Sequence, residues 1–251
     1  MSVIAIIQAR MSSSRLPGKV LMPLGGKPVL AHILDRLSLC VLVKDVVVAT
    51  SDDPSDRPVE EFCDQKGIKC FKGSLSDVLD RFHQTAKFYD ADDILRITGD
   101  CPLIDPIVID SIISSYYCGA YDLYGLSGDF PDGLDCTVIA REALDRAWRE
   151  AVLDSEREHV CPYIEKNKDI FKVGGLEMFS QLGSVRLTLD EEADYLLLEE
   201  IFNNLGHIRP IFRTHDVLDF LRKNPDLAEL NTYIPRNQGY KKSLERDREK
   251  L

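Results

Sequence analysis

Apolar and polar positions alternate along this chain in two rhythms, and the switch between them recurs from the amino end to about Tyr117. Val3, Ile4, Ala5, Ile6 and Ile7 form a short, largely β-branched run with no polar interruption, the pattern of a strand buried on both faces. From Pro28 to Leu39 the residues Val29, Leu30, Ile33, Leu34 and Leu37 fall at helical spacing. Lys44 to Ser51, with Val46, Val47, Val48 and Ala49, predicts a second buried strand, closed by the turn residues Ser51, Asp52, Asp53 and Pro54. A helix from about Asp56 to Lys66 follows and stops at Gly67, and Ile68 to Phe71 is a short strand. Ser74 to Tyr89 sets Leu75, Val78, Leu79, Phe82 and Ala86 on one helical face, with Ser74 or Ser76 as the N-cap. Asp93 to Thr98 predicts a fourth strand, which delivers Gly99, Asp100, Cys101 and Pro102, and Pro106 opens another helix.

This alternation predicts an α/β fold with a doubly wound, mostly parallel sheet, whose ligands sit outside the carboxyl ends of the strands. The second half is less regular. Tyr121 to Leu126 and Leu134 to Ile139 read as strands around a glycine-bearing loop, and helices are expected over about Arg141 to Val152 and Glu156 to Asn167. Ser184 to Leu189 reads as a last strand ending in Asp190, with Glu191 and Glu192 opening a helix to about Leu205. Pro235 to Leu251 is highly charged with few apolar anchors, which predicts an exposed or frayed tail.

The segment that joins the first strand to its helix carries the most chemistry. Arg10, Arg15 and Lys19 flank Ser12, Ser13, Ser14 and Gly18, a set that can wrap a polyphosphate with backbone N–H groups while the cations neutralise it. There is no Walker pattern, and a solvated turn is the competing reading.

Composition narrows the ligand. Against 31 Lys and Arg stand 42 Asp and Glu, a net charge of −11, which argues against nucleic acid and anionic membranes as partners. A small anion must therefore find its cations locally, and Arg10, Arg15, Lys19 and Lys27 cluster in one short region. No apolar stretch approaches a membrane span and no leader pattern is present, so a cytoplasmic protein is expected. Seven cysteines without a C-x-x-C pair support neither a disulfide framework nor a zinc site. Cys101 and Cys161 stand in functional-looking stretches, but no His or Asn is placed to activate either thiol.

With these stretches in hand, the chain resembles the cytidylyltransferases that activate acidic sugars as CMP conjugates (the acylneuraminate and deoxyoctulosonate enzymes), and among them the spore coat polysaccharide biosynthesis type. The resemblance rests on Ile7 to Lys19, Arg96 to Leu103, Phe130 to Val138, Arg157 to Ile164 and Leu187 to Asp194, spread in order over about the first 200 residues. It implies a nucleotide-diphospho-sugar transferase fold of the glycosyltransferase A kind, CTP as donor, Mg²⁺ as cofactor, surface polysaccharide biosynthesis and a homodimer. One transferase domain over residues 1–234 is expected, with a nucleotide-binding half to 117 and an acceptor and dimerisation half from 118. Thr98, Cys101, Cys136 and Thr137 depart from the pattern of the relatives.

Nucleotidyl transfer asks a protein to hold a triphosphate, spread its charge and place an acceptor oxygen in line with the α-phosphorus. Arg15 and Lys19 are assigned to the outer phosphates, Arg10 to the α-phosphate and sugar, and Ser13 to the same loop; groups near Ala9, Arg10, Thr98 and Gly99 are assigned to the nucleotide and its base. Asp100 and Asp190 suit Mg²⁺, which takes one or two carboxylates with phosphate oxygens and water. An N-cap is the alternative for Asp190, and a turn residue for Asp100. Catalysis is thus expected from Arg10, Lys19, Asp100 and Asp190. Asp132, Asp135, Glu158 and His159 are the acceptor set, with Arg157 as a cation for an acceptor carboxylate; turn and surface roles compete. A general base comes from this set or from a metal-bound hydroxide. A second nucleotide or acid, a glycosyltransferase on the same fold, and a non-catalytic nucleotide-binding module are the other functions considered.

Overall fold

The computed structural model describes residues 3–208 and 211–250. Nine strands and eleven helices follow one another among these residues. The first half runs β1 (Val3–Gln8), β2 (Pro23–Leu24), β3 (Lys27–Pro28), α1 (Val29–Leu37), β4 (Val43–Ser51), α2 (Arg57–Lys66), β5 (Lys69–Gly73), α3 (Val78–Phe88), β6 (Asp93–Thr98) and α4 (Pro106–Gly119). The second half adds β7 (Leu123–Ser127), β8 (Cys136–Ala140), α5 (Arg141–Glu150), α6 (Asp154–His159), α7 (Pro162–Lys166), β9 (Val173–Glu177), α8 (Glu192–Leu205), α9 (Thr214–Lys223), α10 (Pro225–Ala228) and α11 (Gln238–Lys250).

Seven strands form the main sheet in the order β5-β4-β1-β6-β8-β7-β9, and β2 pairs with β3 in a separate two-stranded ribbon. Every pairing in the main sheet is parallel except the two made by β8, so the doubly wound architecture expected from the alternation is what the chain adopts. The continuous apolar run of β1 has a simple cause. Val3, Ala5 and Ile7 enter the core beneath α1, α4 and α8, while Ile4 and Ile6 enter the core beneath α3 and α5. Both faces of the strand are covered along Val3 to Ile7, and the polar Gln8 enters only where the strand opens at its carboxyl end.

Four sequence expectations are corrected. The cap of α3 is Asp77, whose carboxylate accepts from the Asp80 N–H at 2.9 Å, and Ser74 instead accepts from the Asp77 N–H at 3.0 Å. The single helix expected from Glu156 is two, because Val160 takes a φ of 71° that no helix interior allows and Pro162 restarts the next turn. Residues 184–189 form no strand beyond one bridge between Arg186 and Asp132; the segment runs along loops, with Leu187 N–H donating to Asp132 O at 2.7 Å and Leu189 N–H to Asp100 O at 2.8 Å. Gly133 makes that crossing possible, since a Cβ there would stand 2.5 Å from the Leu187 carbonyl carbon. Finally, the charged tail is not frayed: within it α11 packs on α6, although Leu251 lies outside the described residues.

Among the described residues no helix is long and apolar enough to cross a membrane.

Candidate active site

A cleft of about 710 Å³ opens at the carboxyl ends of β1 and β6, where the parallel sheet leaves its loops. The segment after β1 is held in place by Asp56, whose carboxylate accepts from the Met11 N–H at 2.6 Å and from the Ser51 N–H at 3.1 Å. The loop then closes on itself: the Gly18 N–H donates to Met11 O at 2.8 Å, with Gly18 in the left-handed region at φ 74°. Lys19, on the single 3-10 turn that follows, is thereby aimed into the cleft although it is only 8% exposed. Across from it, Gly99 lets the ends of β1 and β6 approach, because a Cβ there would come within 2.8 Å of Gln8 O.

Three elements far apart in sequence converge on the Lys19 ammonium. Its Nζ donates to Asp100 Oδ2 and to Asp190 Oδ1, each at 2.7 Å, so the two carboxylate oxygens lie at most twice that distance apart. Burial alone would lower the proton affinity of Lys19, but Asp100 and Asp190 outweigh it and the pKa is raised. For Asp100 burial pulls upward, and the charge and hydrogen bond of Lys19 overcome it, holding the carboxyl at about 2. Both groups are therefore ionised at neutral pH.

Asp190 is fixed from behind. Asp194 is fully buried and accepts from the Asp190 and Glu191 N–H groups at 2.9 and 3.0 Å while receiving Arg186 Nε at 2.8 Å and Asn231 Nδ2 at 2.9 Å. Arg186 continues the network to Asp132 at 2.8 Å and Asp190 at 3.4 Å. The helix cap is Glu191, so the N-cap reading of Asp190 is overturned and its carboxylate is free to meet Lys19 and Arg15.

Arg10, Ser13, Arg15, Lys19, Thr98, Gly99, Asp100, Asp132, Asp135, Glu158, His159 and Asp190 all line this one cleft. Their states differ. Arg15 is held by Asp190 at 2.8 Å, Glu191 at 3.2 Å and the Gln238 side chain at 2.8 Å. Asp132 also receives Arg236 at 3.6 Å, and burial with Asp135 alongside pushes its carboxyl up to about 6 against the pull of Arg236 and Arg186. Glu158 and His159 are engaged by α11: the Ser243 hydroxyl donates to Glu158 at 2.7 Å and lies 3.1 Å from His159 Nε2, and Arg246 pairs with Glu158. Burial, with Arg96, Arg246 and Arg10 nearby, lowers the pKa of His159 despite Glu158.

Three assignments move out of the cleft. The Ala9 N–H donates to Ala49 O at 3.2 Å and Ala9 does not line the cavity, so that amide does not read a base. Lys27 pairs with Asp35 at 2.8 Å on the exposed β3 ribbon. Arg157 turns away to Asp77 and to the Trp148 carbonyl. The thiols behave as expected of inert groups: burial raises Cys101 well above its ordinary range and Cys161 to about 12.

Arg96 and Arg186 were missed, and both had left a signal. Arg96 lies inside the apolar stretch Ile94 to Ile97 and Arg186 between Val185 and Leu187, where an unpaired guanidinium would be prohibitive unless it served a site.

Among the described residues no cluster of three or more His, Cys, Asp or Glu is arranged to hold a metal. Two carboxylates converging on one point do suit Mg²⁺, whose remaining ligands come from phosphate oxygens and water.

A family model described as cytidylyltransferase matches residues 4–231, which spans the loop, both aspartates and the Arg186 network. The chain belongs to the cytidylyltransferase family. This cytidylyltransferase is 33% identical to the spore coat polysaccharide biosynthesis protein SpsF of Bacillus subtilis over 233 residues, covering 90% of this chain and 96% of that protein. It is 37% identical over 243 residues to an uncharacterized protein of Methanocaldococcus jannaschii, covering 96% and 98%. Its fold matches a cytidylyltransferase from Leptospira borgpetersenii with a TM-score of 0.85 at 33% identity, over 91% of this chain and 97% of that one.

Proposed function

We propose that this cytidylyltransferase transfers CMP from CTP to an acidic sugar with release of pyrophosphate, in surface polysaccharide synthesis. The observation that carries the reading is the meeting of Lys19 with Asp100 and Asp190 beside the 10–19 loop. Two carboxylates brought together across a cationic loop can exchange Lys19 for a divalent cation when a triphosphate draws the ammonium away, a use that a pure scaffold does not have. The names of relatives agree with CTP and with acidic sugars: a CMP:2-keto-3-deoxy-manno-octonic acid synthetase in complex with CTP shares the fold at a TM-score of 0.64, and an 8-amino-3,8-dideoxy-manno-octulosonate cytidylyltransferase of Shewanella pealeana is 36% identical over 136 residues.

In this reading Asp100 and Asp190 hold Mg²⁺, which would offset charge on the phosphate oxygens. Lys19, released from the two carboxylates, binds the outer phosphates together with Arg15, and Arg10 binds nearer the α-phosphate. Asp194 and Arg186 keep Asp190 oriented while this exchange takes place. Asp132, with a carboxyl raised to about 6, takes the proton from the acceptor hydroxyl as it attacks the α-phosphorus, and pyrophosphate leaves. The expected assembly is a homodimer.

A glycosyltransferase using a finished nucleotide sugar is disfavoured by position. Asp90, Ala91 and Asp92, the nearest Asp-x-Asp, precede β6 and do not line the cleft. The test is pyrophosphate release from each of the four nucleoside triphosphates with Mg²⁺ against 3-deoxy-manno-octulosonate, its 8-amino analogue and N-acetylneuraminate. Release with CTP and an acid, far above the other triphosphates, is expected. Release from none of them, or transfer from a nucleotide sugar without pyrophosphate, would overturn the reading.

A further inference from the structure

The cations of the cleft fall into two groups. Lys19, Arg15 and Arg186 are each consumed by carboxylates on the cleft wall. Arg10 and Arg96 line the same cavity and make no hydrogen bond or ion pair among the described residues. Arg10 belongs to the loop that meets the triphosphate and Lys242 is exposed on α11, so Arg96 is the half-buried cleft cation without an assignment.

Its placement is specific. β1 and β6 run parallel with Ile6 opposite Arg96 and Gln8 opposite Thr98, which puts Gln8, Thr98 and Arg96 on one face of the sheet, below His159 of α6 and Tyr240 of α11. Arg96 Nε is buried without a partner, and so is Gln8 Oε1, its diagonal neighbour. A buried guanidinium N–H and a buried amide oxygen left unsatisfied cost free energy, and the two side chains that carry them line the cleft. The pair offers a planar cationic donor and a neutral acceptor, which suits a carboxylate flanked by a hydroxyl. Seven carboxylates line the rest of the cleft, Asp100, Asp132, Asp135, Glu158, Asp190, Glu245 and Glu249, so an anionic acceptor must be received by a cation that none of them has neutralised.

We propose that Arg96 receives the carboxylate of the acceptor sugar, with Gln8 Oε1 accepting a hydrogen bond from an adjacent sugar hydroxyl, and that this pair makes the enzyme select sugar acids over neutral sugars. The inference rests on the transfer reading above. It replaces Arg157, which the fold turns away, as the cation for the acceptor. A neutral sugar or an ester would leave the half-buried Arg96 guanidinium without an ion pair, which is the source of the discrimination.

The test uses the full chain saturated with CTP in the absence of divalent metal, so that no turnover occurs. 3-Deoxy-manno-octulosonate, N-acetylneuraminate and D-glucuronate are titrated in, each beside its methyl ester, while the Arg96 Nε–H resonance is followed, assigned by its loss in Arg96→Lys. At least one acid is expected to move the resonance to saturation, with the ester binding about 30-fold more weakly. Arg96→Gln abolishes that ratio, Arg96→Lys restores part of it, and both leave CTP affinity within about threefold of wild type. The inference is overturned if no acid moves the resonance, if CTP alone moves it as far as an acid does, or if Arg96→Gln keeps the acid-to-ester ratio. A resonance that responds to an acid in a protein that releases no pyrophosphate once Mg²⁺ is added would leave Arg96 as a carboxylate site and remove the transferase reading.

Discussion

The two ends of the cleft solve opposite electrostatic problems. At the Lys19 end every cation is paired, and the pairs are backed by a buried network through Arg186, Asp194 and Asn231. At the Arg96 end two guanidinium groups make no hydrogen bond or ion pair among the described residues, Glu165 acts on Arg96 through its charge alone, and the nearby acid Glu158 is occupied by Ser243 and Arg246. A paired end is internally satisfied, so a ligand must displace something to bind there; a divalent cation can displace Lys19, and Lys19 can then follow the phosphates. An unpaired end carries unspent attraction and is satisfied only when an anion arrives. Stability and binding should therefore separate by region: substitutions at the first end cost folding free energy, whereas those at the second cost affinity.

The sharpest way to break this contrast is Arg186→Met. Removing that guanidinium strands Asp194 and Asp132 in a buried setting, and the loss expected is about 3–5 kcal/mol. Thermal unfolding of the variant measures it, and a melting point equal to wild type would mean that the network is not structural. Next comes Lys19→Met, expected to lower pyrophosphate release by about 10²–10³-fold, the usual cost of one preorganised charge aimed at a phosphoryl group. Its melting temperature should fall less than that of Arg186→Met, because Asp100 and Asp190 retain some access to water.

A pH measurement sharpens the same contrast. The Asp100 carboxyl is held at about 2 against an ordinary 3.8, so the unfolded chain takes up its proton first as pH falls, and this residue's stabilisation is present above pH 4 and lost toward pH 2. Comparing urea unfolding of wild type and Asp100→Asn across that window should show a difference that shrinks by about 1–2 kcal/mol at the acid end, after allowing for solvent screening. The smallest effect on folding is reserved for Arg10→Gln. Having no carboxylate to abandon, it should unfold within about 0.5 kcal/mol of wild type while binding CTP about tenfold more weakly, read by calorimetry.

How much of this was visible beforehand depends on what holds each part together. β6 was legible to the residue, and α1, α2 and α8 nearly so, because apolar periodicity places them and Gly67 marks a stop. By contrast α11 was illegible: it docks through the polar contacts of Ser243, Arg246 and Asp247, which look like a solvated face in one dimension. β9 hides behind Gly174 and Gly175, residues that weaken any strand signal but allow close packing, Gly174 of Tyr121 and Tyr124 and Gly175 of Ser127. The break between α6 and α7 rests on Val160 at positive φ, which no local preference of valine announces. In the site, the loop, Asp100 and Asp190 could be read because phosphate and metal chemistry constrain residue type at short spacing. Arg186 and Asp194 reach Asp132 and Asn231 through tertiary contacts between segments, and sequence spacing carries no record of those two partners.

The central claim is tested most directly by the position of a divalent ion in crystals of the protein grown with CTP and Mn²⁺. An anomalous peak bound by both Asp100 and Asp190, with Lys19 turned from them to the triphosphate and the 10–19 loop around it, is the predicted result. A peak away from those carboxylates, or a triphosphate bound outside the loop, would contradict it.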